Sequence, residues 1–408
     1  MINVAVLGYG TIGAGVVEVL QTNVDSIEKK AGQKIVVKHI LDLRDFPGDP
    51  NQDKVVHDYK VIEEDDDVQI VVECMGGLEP AYTFVKKALM QGRSVATSNK
   101  ELVAKYGAEL IAIAREKKSN FLFEASVGGG IPIIRPLTQC LTADVIEEIS
   151  GILNGTTNYM LTKMEEEGMA FDEVLKEAQE KGYAELHPEA DIEGYDACRK
   201  IAILTSLAYG KQLDFEKIHT EGITNITAED FRYAQKMGKC IKLLGKSWTD
   251  EGKLYAMVCP MLIAHDHPLA GVRDVFNAIF VHGNMVDDTM FYGRGAGKLP
   301  TASAVVGDMI SADVVDCVKH MGTHIKMIWD QEKLELNDFG GFERKYFVRM
   351  PKEVDWEAIE EAFGPVERVE VQGIEEKAFI TATMKENDYH QAAKAFDTIY
   401  NMIRVDVV

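Results

Sequence analysis

Among the ionisable side chains of the stretch 182–208 are Glu185, Asp191, Asp196 and Lys200. The first half of the stretch, Gly182-Tyr183-Ala184-Glu185-Leu186-His187-Pro188-Glu189-Ala190-Asp191, reads as a loop. Pro188 is unfit for a helix interior, and Gly182 and Gly194 punctuate the run. The second half reads as a helix whose apolar face is Ile201, Leu204 and Leu207. Asp196 and Lys200 are four apart and share one helical face. Loop and helix together aim three acids and one lysine at one small region. Such a set can hold a small, polar, amino-bearing substrate and move its protons. On spacing alone, Asp196 and Lys200 equally suit a solvated helix pair worth about 0.3 kcal/mol.

The chemistry that these protons would accompany is suggested at the other end of the chain. Residues 3–7 form a short apolar strand that runs into Gly8-Tyr9-Gly10-Thr11-Ile12-Gly13, and an apolar helical run follows at 16–20. A G-x-G-x-x-G between a strand and a helix is a dinucleotide fingerprint. Gly8 permits the tight turn, Gly10 the approach of a pyrophosphate, and Gly13 close packing of helix on strand. The helix start at Thr11 and Ile12 points amides at phosphate. A second strand is expected at 34–41, with the ribose-reading position near its end. Asp42 and Arg44 both stand there. The acid suits the free 2′-hydroxyl of NAD and the arginine suits the 2′-phosphate of NADP, so both cofactors remain open.

Further polar turns follow apolar strands, where open α/β sheets bind ligands. Thr97-Ser98-Asn99-Lys100-Glu101 follows a strand at 94–96, and Cys74-Met75-Gly76-Gly77 follows one at 68–73. Phe123-Glu124-Ala125-Ser126-Val127-Gly128-Gly129-Gly130-Ile131-Pro132 demands a tightly folded backbone. Asn154-Gly155-Thr156-Thr157-Asn158-Tyr159 opens a helix after a strand at 145–153. Amides at that helix start suit a carboxylate, and a plain N-cap by Asn154 or Thr156 suits the same residues. Gly293-Arg294-Gly295-Ala296-Gly297 precedes another helix, which Pro300 is expected to start.

A chain of 408 residues, 46% of them apolar, is long enough for two or three domains with substantial cores. A formal net charge of -22 argues against nucleic acid or an anionic membrane as partner. No apolar run approaches the roughly 20 residues of a membrane span. Met1-Ile2-Asn3 enters a strand pattern directly, so no signal peptide is expected. Cysteines at 74, 140, 198, 240, 259 and 317 include no C-x-x-C pair, which suits reduced, buried thiols in a cytoplasmic protein.

Taken in order, these motifs resemble the homoserine dehydrogenases: the fingerprint, the Thr-Ser-Asn-Lys turn, the Gly-rich hinge, Asn-Gly-Thr-Thr-Asn-Tyr, Gly-Tyr-Ala-Glu through Lys200, and Gly-Arg-Gly-Ala-Gly. His187 departs from the pattern, since the family often has an acid there. The resemblance implies an NAD- or NADP-dependent oxidoreductase interconverting L-homoserine and L-aspartate 4-semialdehyde, in threonine, methionine and isoleucine biosynthesis. It implies Lys200 as proton carrier, Asp191 and Asp196 as orienting acids, and Lys100 as a second cation between cofactor and substrate. Glu185, Tyr183, Gly155 and Thr156, with Asp196, would hold the amino acid. Gly8, Gly10, Thr11, Ile12, Gly13, Arg44, Ser98, Lys100, Gly295 and Gly297 would line the cofactor. A monovalent cation, usually taken as sodium, would be held at Glu124, Val127, Gly129 and Ile131, where main-chain carbonyls suit a hard ion. Two other readings share the first domain: a nucleotide-sensing protein with a dead site, and a dehydrogenase for another amino acid. Neither accounts for the intact acids and lysines together with the Asn-Gly-Thr-Thr-Asn-Tyr loop.

The expected α/β architecture has a Rossmann domain at 1–133, rejoined by a returning helix at about 298–320. An α+β substrate and dimerisation domain follows at 134–297, then a linker at 331–343. From 344 to 408 the strand and helix patterns run βαββαβ and resemble an ACT module. Its first loop, Arg349-Met350-Pro351-Lys352-Glu353-Val354-Asp355-Trp356, lacks the glycine that lets backbone approach a ligand. Its edge strands are apolar enough to pair with another subunit. We therefore expect a module that supports a homodimer or homotetramer more than it binds threonine.

Overall fold

The computed structural model describes residues 1–311, 314–315 and 327–406. They form two compact units: Met1–Ile146 with Ala202–Glu216 and His282–Leu334, and Glu147–Ile201 with Lys217–Val281 and Glu335–Val408.

The first unit is built on six parallel strands, β1 (Ile2–Leu7), β2 (Ile35–Leu41), β3 (Val55–Val56), β4 (Val68–Glu73), β5 (Ser94–Thr97) and β6 (Phe121–Leu122). Their order is β3-β2-β1-β4-β5-β6, the doubly wound Rossmann arrangement, with its switch point beside β1. Val4 and Val6 of β1 pack with Val16, Val17 and Leu20 of the helix Thr11–Thr22. The same core takes Ala302, Val305, Val306 and Met309 from the helix Lys298–Met309. A side chain at Gly15 would meet the Lys298 carbonyl oxygen at 2.9 Å, so glycine there lets the two helices cross closely. The returning helix starts at Lys298, two residues before Pro300. The proline lies in the first turn, where its missing N–H has no partner to lose. Val314 and Val315 are buried, whereas 312–313, 316–326 (with Cys317) and the chain end at 407–408 lie outside the described residues.

The second unit holds a long, mainly antiparallel sheet. Its strands run Phe276–Gly283, Ile146–Ile152, Lys239–Asp250, Lys253–Ala264, Asn401–Val405, Glu343–Pro351, Glu376–Thr381 and Val366–Arg368, each beside the next. The hairpin Lys239–Ala264 pairs twelve residues with twelve. Its two-residue turn, Glu251-Gly252, has both φ values positive, at 48° and 77°, which matches the twist of the flanking strands. Lys242 and Lys246 hid the strand by interrupting its apolar pattern. Both are buried: Lys242 donates to the Val272 carbonyl at 2.7 Å, and Lys246 reaches Glu148 at 2.9 Å and Asp406 at 2.8 Å.

The C-terminal βαββαβ succession is present, with helices Trp356–Phe363 and Glu386–Ala393, and its strands lie in the order 4-1-3-2. Three expectations are corrected. First, the module continues the central sheet: Asn401–Val405 lies parallel to Lys253–Ala264, with Met261 opposite Arg404 and Leu262 opposite Val405. One apolar edge assigned to another subunit is therefore filled within the chain. Second, the polar linker begins as a strand, Asp330–Lys333, whose backbone pairs with Lys211–Gln212 although its side chains are exposed. Third, Cys140 is exposed, whereas Cys198, Cys240 and Cys259 are buried and all five described cysteines are free.

A chain ended at Gly341 would bare the edge of Lys253–Ala264, whose apolar residues are almost all buried. The expected outcome is aggregation of the truncated chain rather than a smaller soluble enzyme. Soluble yield and size-exclusion profile would check it.

Candidate active site

In the first unit, the Gly-rich turn ends β1 and starts the helix Thr11–Thr22. Gly13 is demanded by the protein itself, since a Cβ there would lie 1.8 Å from the Gly8 carbonyl oxygen. A Cβ on Gly10 would meet nothing within 4 Å, so that glycine borders open space. Asp42 and Arg44, read from sequence as two alternatives, are joined. Arg44 donates Nε to Asp42 Oδ1 and Nη2 to Oδ2, both at 3.0 Å, and the Tyr9 amide donates to Oδ2 at 2.9 Å. The bond from Arg44 is the chief reason that the Asp42 carboxyl is held down at about 2. A cleft of about 1140 Å³ opens here, lined by Gly8, Gly10, Asp42, Arg44, His57 and Lys60 among others.

Sequence reading missed Glu73, the last residue of β4. It is fully buried, and its carboxylate accepts from the Met75 amide at 2.7 Å, the Gly76 amide at 3.2 Å and Thr97 Oγ1 at 2.6 Å. Burial pushes this carboxyl up, against the pull of those bonds. Thr97 Oγ1 accepts from the Asn99 amide, and Asn99 caps the helix Lys100–Glu116 through the Leu102 amide at 3.1 Å. Glu73 thus ties the turn after β4 to the turn carrying Ser98 and Lys100. An acid closing an otherwise apolar strand was its only sequence signal.

In the second unit, Asn154 caps the helix Gly155–Glu167 by accepting from the Thr157 amide at 2.9 Å. Its Nδ2 donates to Asp191 Oδ1 at 2.7 Å and to Asp196 Oδ2 at 2.9 Å. The same Asp196 oxygen accepts from Lys200 Nζ at 2.8 Å, and Nζ also donates to the Leu153 carbonyl at 2.7 Å. The Asp196 and Lys200 side chains are 3% and 9% exposed, which rules out a solvated surface pair. Asp191, Asp196 and Lys200 are therefore brought together, and Asn154, read from sequence as a cap, bridges them. Glu185 and Tyr183 are exposed on the preceding loop; Thr156 Oγ1 donates to the Tyr183 carbonyl at 2.7 Å. A Cβ on Gly155 would meet the Val275 carbonyl at 2.8 Å, so packing requires that glycine.

The Gly-rich hinge belongs to the first unit and is packed backbone on backbone. A Cβ on Gly129 would lie 2.4 Å from the Gly295 carbonyl oxygen, and the Gly130 amide donates to the Arg294 carbonyl at 3.2 Å. Gly297 has φ +121° and opens the returning helix. The Glu124 carboxylate accepts from the amides of Ile133, Ile134 and Arg135 at 2.6, 2.7 and 3.0 Å. Those bonds engage the carboxylate, so a cation here would use the main-chain oxygen of Glu124; the main-chain oxygens of Val127, Gly129 and Ile131 are of the same hard type.

Residues 8–124 match the family model described as homoserine dehydrogenase, NAD binding domain, and residues 132–310 that described as homoserine dehydrogenase. The chain is 43% identical over 317 residues to homoserine dehydrogenase of Bacillus subtilis (strain 168), covering 76% of this chain and 72% of that one. It is 38% identical over 358 residues to that of Neisseria gonorrhoeae, covering 86% and 81%. Among solved structures, a homoserine dehydrogenase from Thiobacillus denitrificans has TM-score 0.89 at 36% identity, covering 99% of this chain and 98% of that chain. A hyperthermophilic archaeal homoserine dehydrogenase in complex with NADPH has TM-score 0.65 at 28% identity, covering 80% and 99%.

Asn154→Ser separates the two duties of Asn154. Serine remains a good N-cap but has no second arm to bridge the acids. The expected outcome is a melting temperature close to the parent's and a loss of turnover of about 10–100-fold, the scale of a hydrogen bond to a charged group. Thermal melts and steady-state kinetics on the same preparation would check it.

Proposed function

The chain belongs to the homoserine dehydrogenase family, and we propose that Lys200, Asp196, Asp191 and Asn154 carry its proton and orientation chemistry. The protein is an NAD(P)-dependent oxidoreductase acting on a CH–OH group, and it interconverts L-homoserine and L-aspartate 4-semialdehyde. The observation that carries the assignment of roles is the succession Asp191–Asn154–Asp196–Lys200, joined at 2.7–2.9 Å, with Asn154, Asp196 and Lys200 buried and Asp191 half-buried at its open end.

When bound, the nicotinamide nucleotide supplies the hydride acceptor or donor. Lys200 Nζ, as the neutral amine with its two N–H bonds spent on Asp196 and the Leu153 carbonyl, takes the hydroxyl proton of homoserine during oxidation and returns it during reduction. Asp196 and the Leu153 carbonyl hold that nitrogen in place. Asp191, fixed by Asn154, orients the hydroxyl. Glu185 and Tyr183, with the Gly155-Thr156 backbone, receive the amino acid end of the substrate. Lys100, at the head of its helix, serves as the second cation. Ser98, Gly295 and Gly297 line the cofactor. The main-chain oxygens of Glu124, Val127, Gly129 and Ile131 would hold a monovalent cation such as sodium. We further assign the protein to the cytoplasm as a homodimer or homotetramer; among the described residues no helix is long and apolar enough to cross a membrane. The C-terminal module serves the fold rather than an amino-acid ligand, since Arg349, at the head of its first loop, is buried against Asp230 and Glu376.

Lys200→Met is expected to fold and bind cofactor but to lose about 10²–10⁴-fold in kcat for homoserine oxidation. Near-normal kcat would remove Lys200 from its role. Glu185→Gln should chiefly raise KM for homoserine, and an unchanged KM would contradict the amino-group assignment.

For the cofactor, Asp42 and Arg44 share one ion pair, so both nucleotides should work. Arg44→Ala frees the Asp42 carboxylate and removes the cation. It should shift the NADP-to-NAD ratio of kcat/KM toward NAD by about 5–100-fold, the range of a single contact.

A further inference from the structure

The last strand of the chain is tied to the proposed catalytic turn through one buried arginine. Arg404 is 1% exposed and lies in strand Asn401–Val405, opposite Met261. Its Nη1 donates to Glu221 Oε2 and its Nη2 to Glu221 Oε1, both at 2.7 Å. Its Nε donates to Glu386 Oε2 at 2.9 Å, and Nη2 also bonds Glu386 Oε1. His219 Nε2 stands 2.6 Å from Glu221 Oε1. Burial alone would raise the Glu221 carboxyl, yet the bonds from His219 and Arg404 hold it well below the ordinary carboxylate range.

Glu221 belongs to a segment that serves as the floor of the turn carrying the acids. The preceding pair His219–Thr220 lies parallel to Met257 and Val258, and the Glu221 amide donates to the Val258 carbonyl at 2.7 Å. The Ile223 amide donates to the Ile192 carbonyl at 2.8 Å. Between them, a Cβ on Gly222 would sit 2.0 Å from that same carbonyl oxygen and 2.5 Å from Glu193 Cα. Gly194, with φ +83°, fits against Thr220 and the Glu221 carbonyl in turn. Ile192, Glu193 and Gly194 lie between Asp191 and Asp196. Segment 220–223 and turn 191–196 are therefore in backbone contact at Gly222 and Ile223, so a shift of one is passed to the other.

We infer that Glu221 and Arg404 are positioning residues for the reaction: the two-bonded pairing of half-buried Glu221 with buried Arg404 fixes segment 220–223, and that segment sets the spacing of Asp191 and Asp196 around Asn154. The inference rests on the reading of Asp191 and Asp196 as working acids. It gives the C-terminal module a part in catalysis that needs no ligand. Arg404 is held on both sides, by Glu386 at the start of a module helix and by Glu221 beside the turn, so movement of the module strand is carried to the acids.

The test is Glu221→Gln in the full chain, which keeps size and removes the charge. Amide hydrogen exchange across 191–196 should speed up, and kcat for homoserine oxidation should fall about tenfold or more, as a small misplacement of reacting groups predicts. KM for the nucleotide should stay within about twofold, because that site lies on other elements. Arg404→Lys keeps the charge but not the two-sided fork. It should give a smaller change in the same direction, and it takes over the test where Glu221→Gln does not fold. Arg368→Ala, which removes an exposed cation of the same module from Glu360, should leave exchange and kcat unaltered. Unchanged exchange across 191–196 in a folded variant overturns the inference, whatever kcat does. Faster exchange with parental kcat overturns instead the assignment of Asp191 and Asp196. Loss of nucleotide binding together with kcat would mark general unfolding and also overturns the positioning role.

Discussion

The second unit is organised around one carboxylate oxygen. Asp196 Oδ2 receives both Lys200 Nζ and Asn154 Nδ2, and these three side chains are almost wholly buried. A buried ion pair is costly to form and costlier to break, since losing one partner leaves a charge uncompensated at about 3–5 kcal/mol. The pair is kept in register by its spacing: four residues apart on the helix Tyr195–Tyr209, its members meet without strain. Asn154 adds the neighbouring helix Gly155–Glu167 to the arrangement, because the same side chain caps that helix and grips the acids. Displacing the cap therefore displaces the chemistry.

The nucleotide half follows a different logic, in which backbone meets backbone. Gly13 against Gly8, Gly15 against Lys298 and Gly129 against Gly295 are contacts that admit no side chain. They let the returning helix close the Rossmann core and bring the Gly-Arg-Gly-Ala-Gly turn onto the hinge. Gly10 is the exception, facing open space. Glu73 is the polar counterpart of these contacts, one buried carboxylate serving the turns that follow two adjacent strands.

Buried charge recurs throughout the second unit's sheet. Arg349 meets Asp230 and Glu376, Arg404 meets Glu221 and Glu386, and Lys246 meets Glu148 and Asp406. Each set joins a residue of the C-terminal module to the rest of the sheet or to the elements packed on it. Such pairs add little net stability compared with apolar packing, but they accept only one register. They make the module a continuation of the sheet rather than an appended domain.

Much of this protein is legible in its sequence. The fingerprint, the Asn-Gly-Thr-Thr-Asn-Tyr helix start, the Asp196–Lys200 spacing and the βαββαβ succession are local patterns, and local sterics and hydrogen bonding decide them within a few residues. What sequence could not decide depended on partners far along the chain. Lys242 and Lys246 disguise a twelve-residue strand until Val272, Glu148 and Asp406 arrive to satisfy them. Asp42 and Arg44 look like rival cofactor readers until one folded loop makes them a pair. Glu73 and Asn154 look like a strand end and a cap until distant turns supply their other bonds. The last strand looks like a free edge until Lys253–Ala264 fills it. In each case the side chain's meaning lies in the desolvation of a polar group and the partner that offsets it. Burial of that kind is a property of the assembled tertiary structure, which no local run of residues encodes.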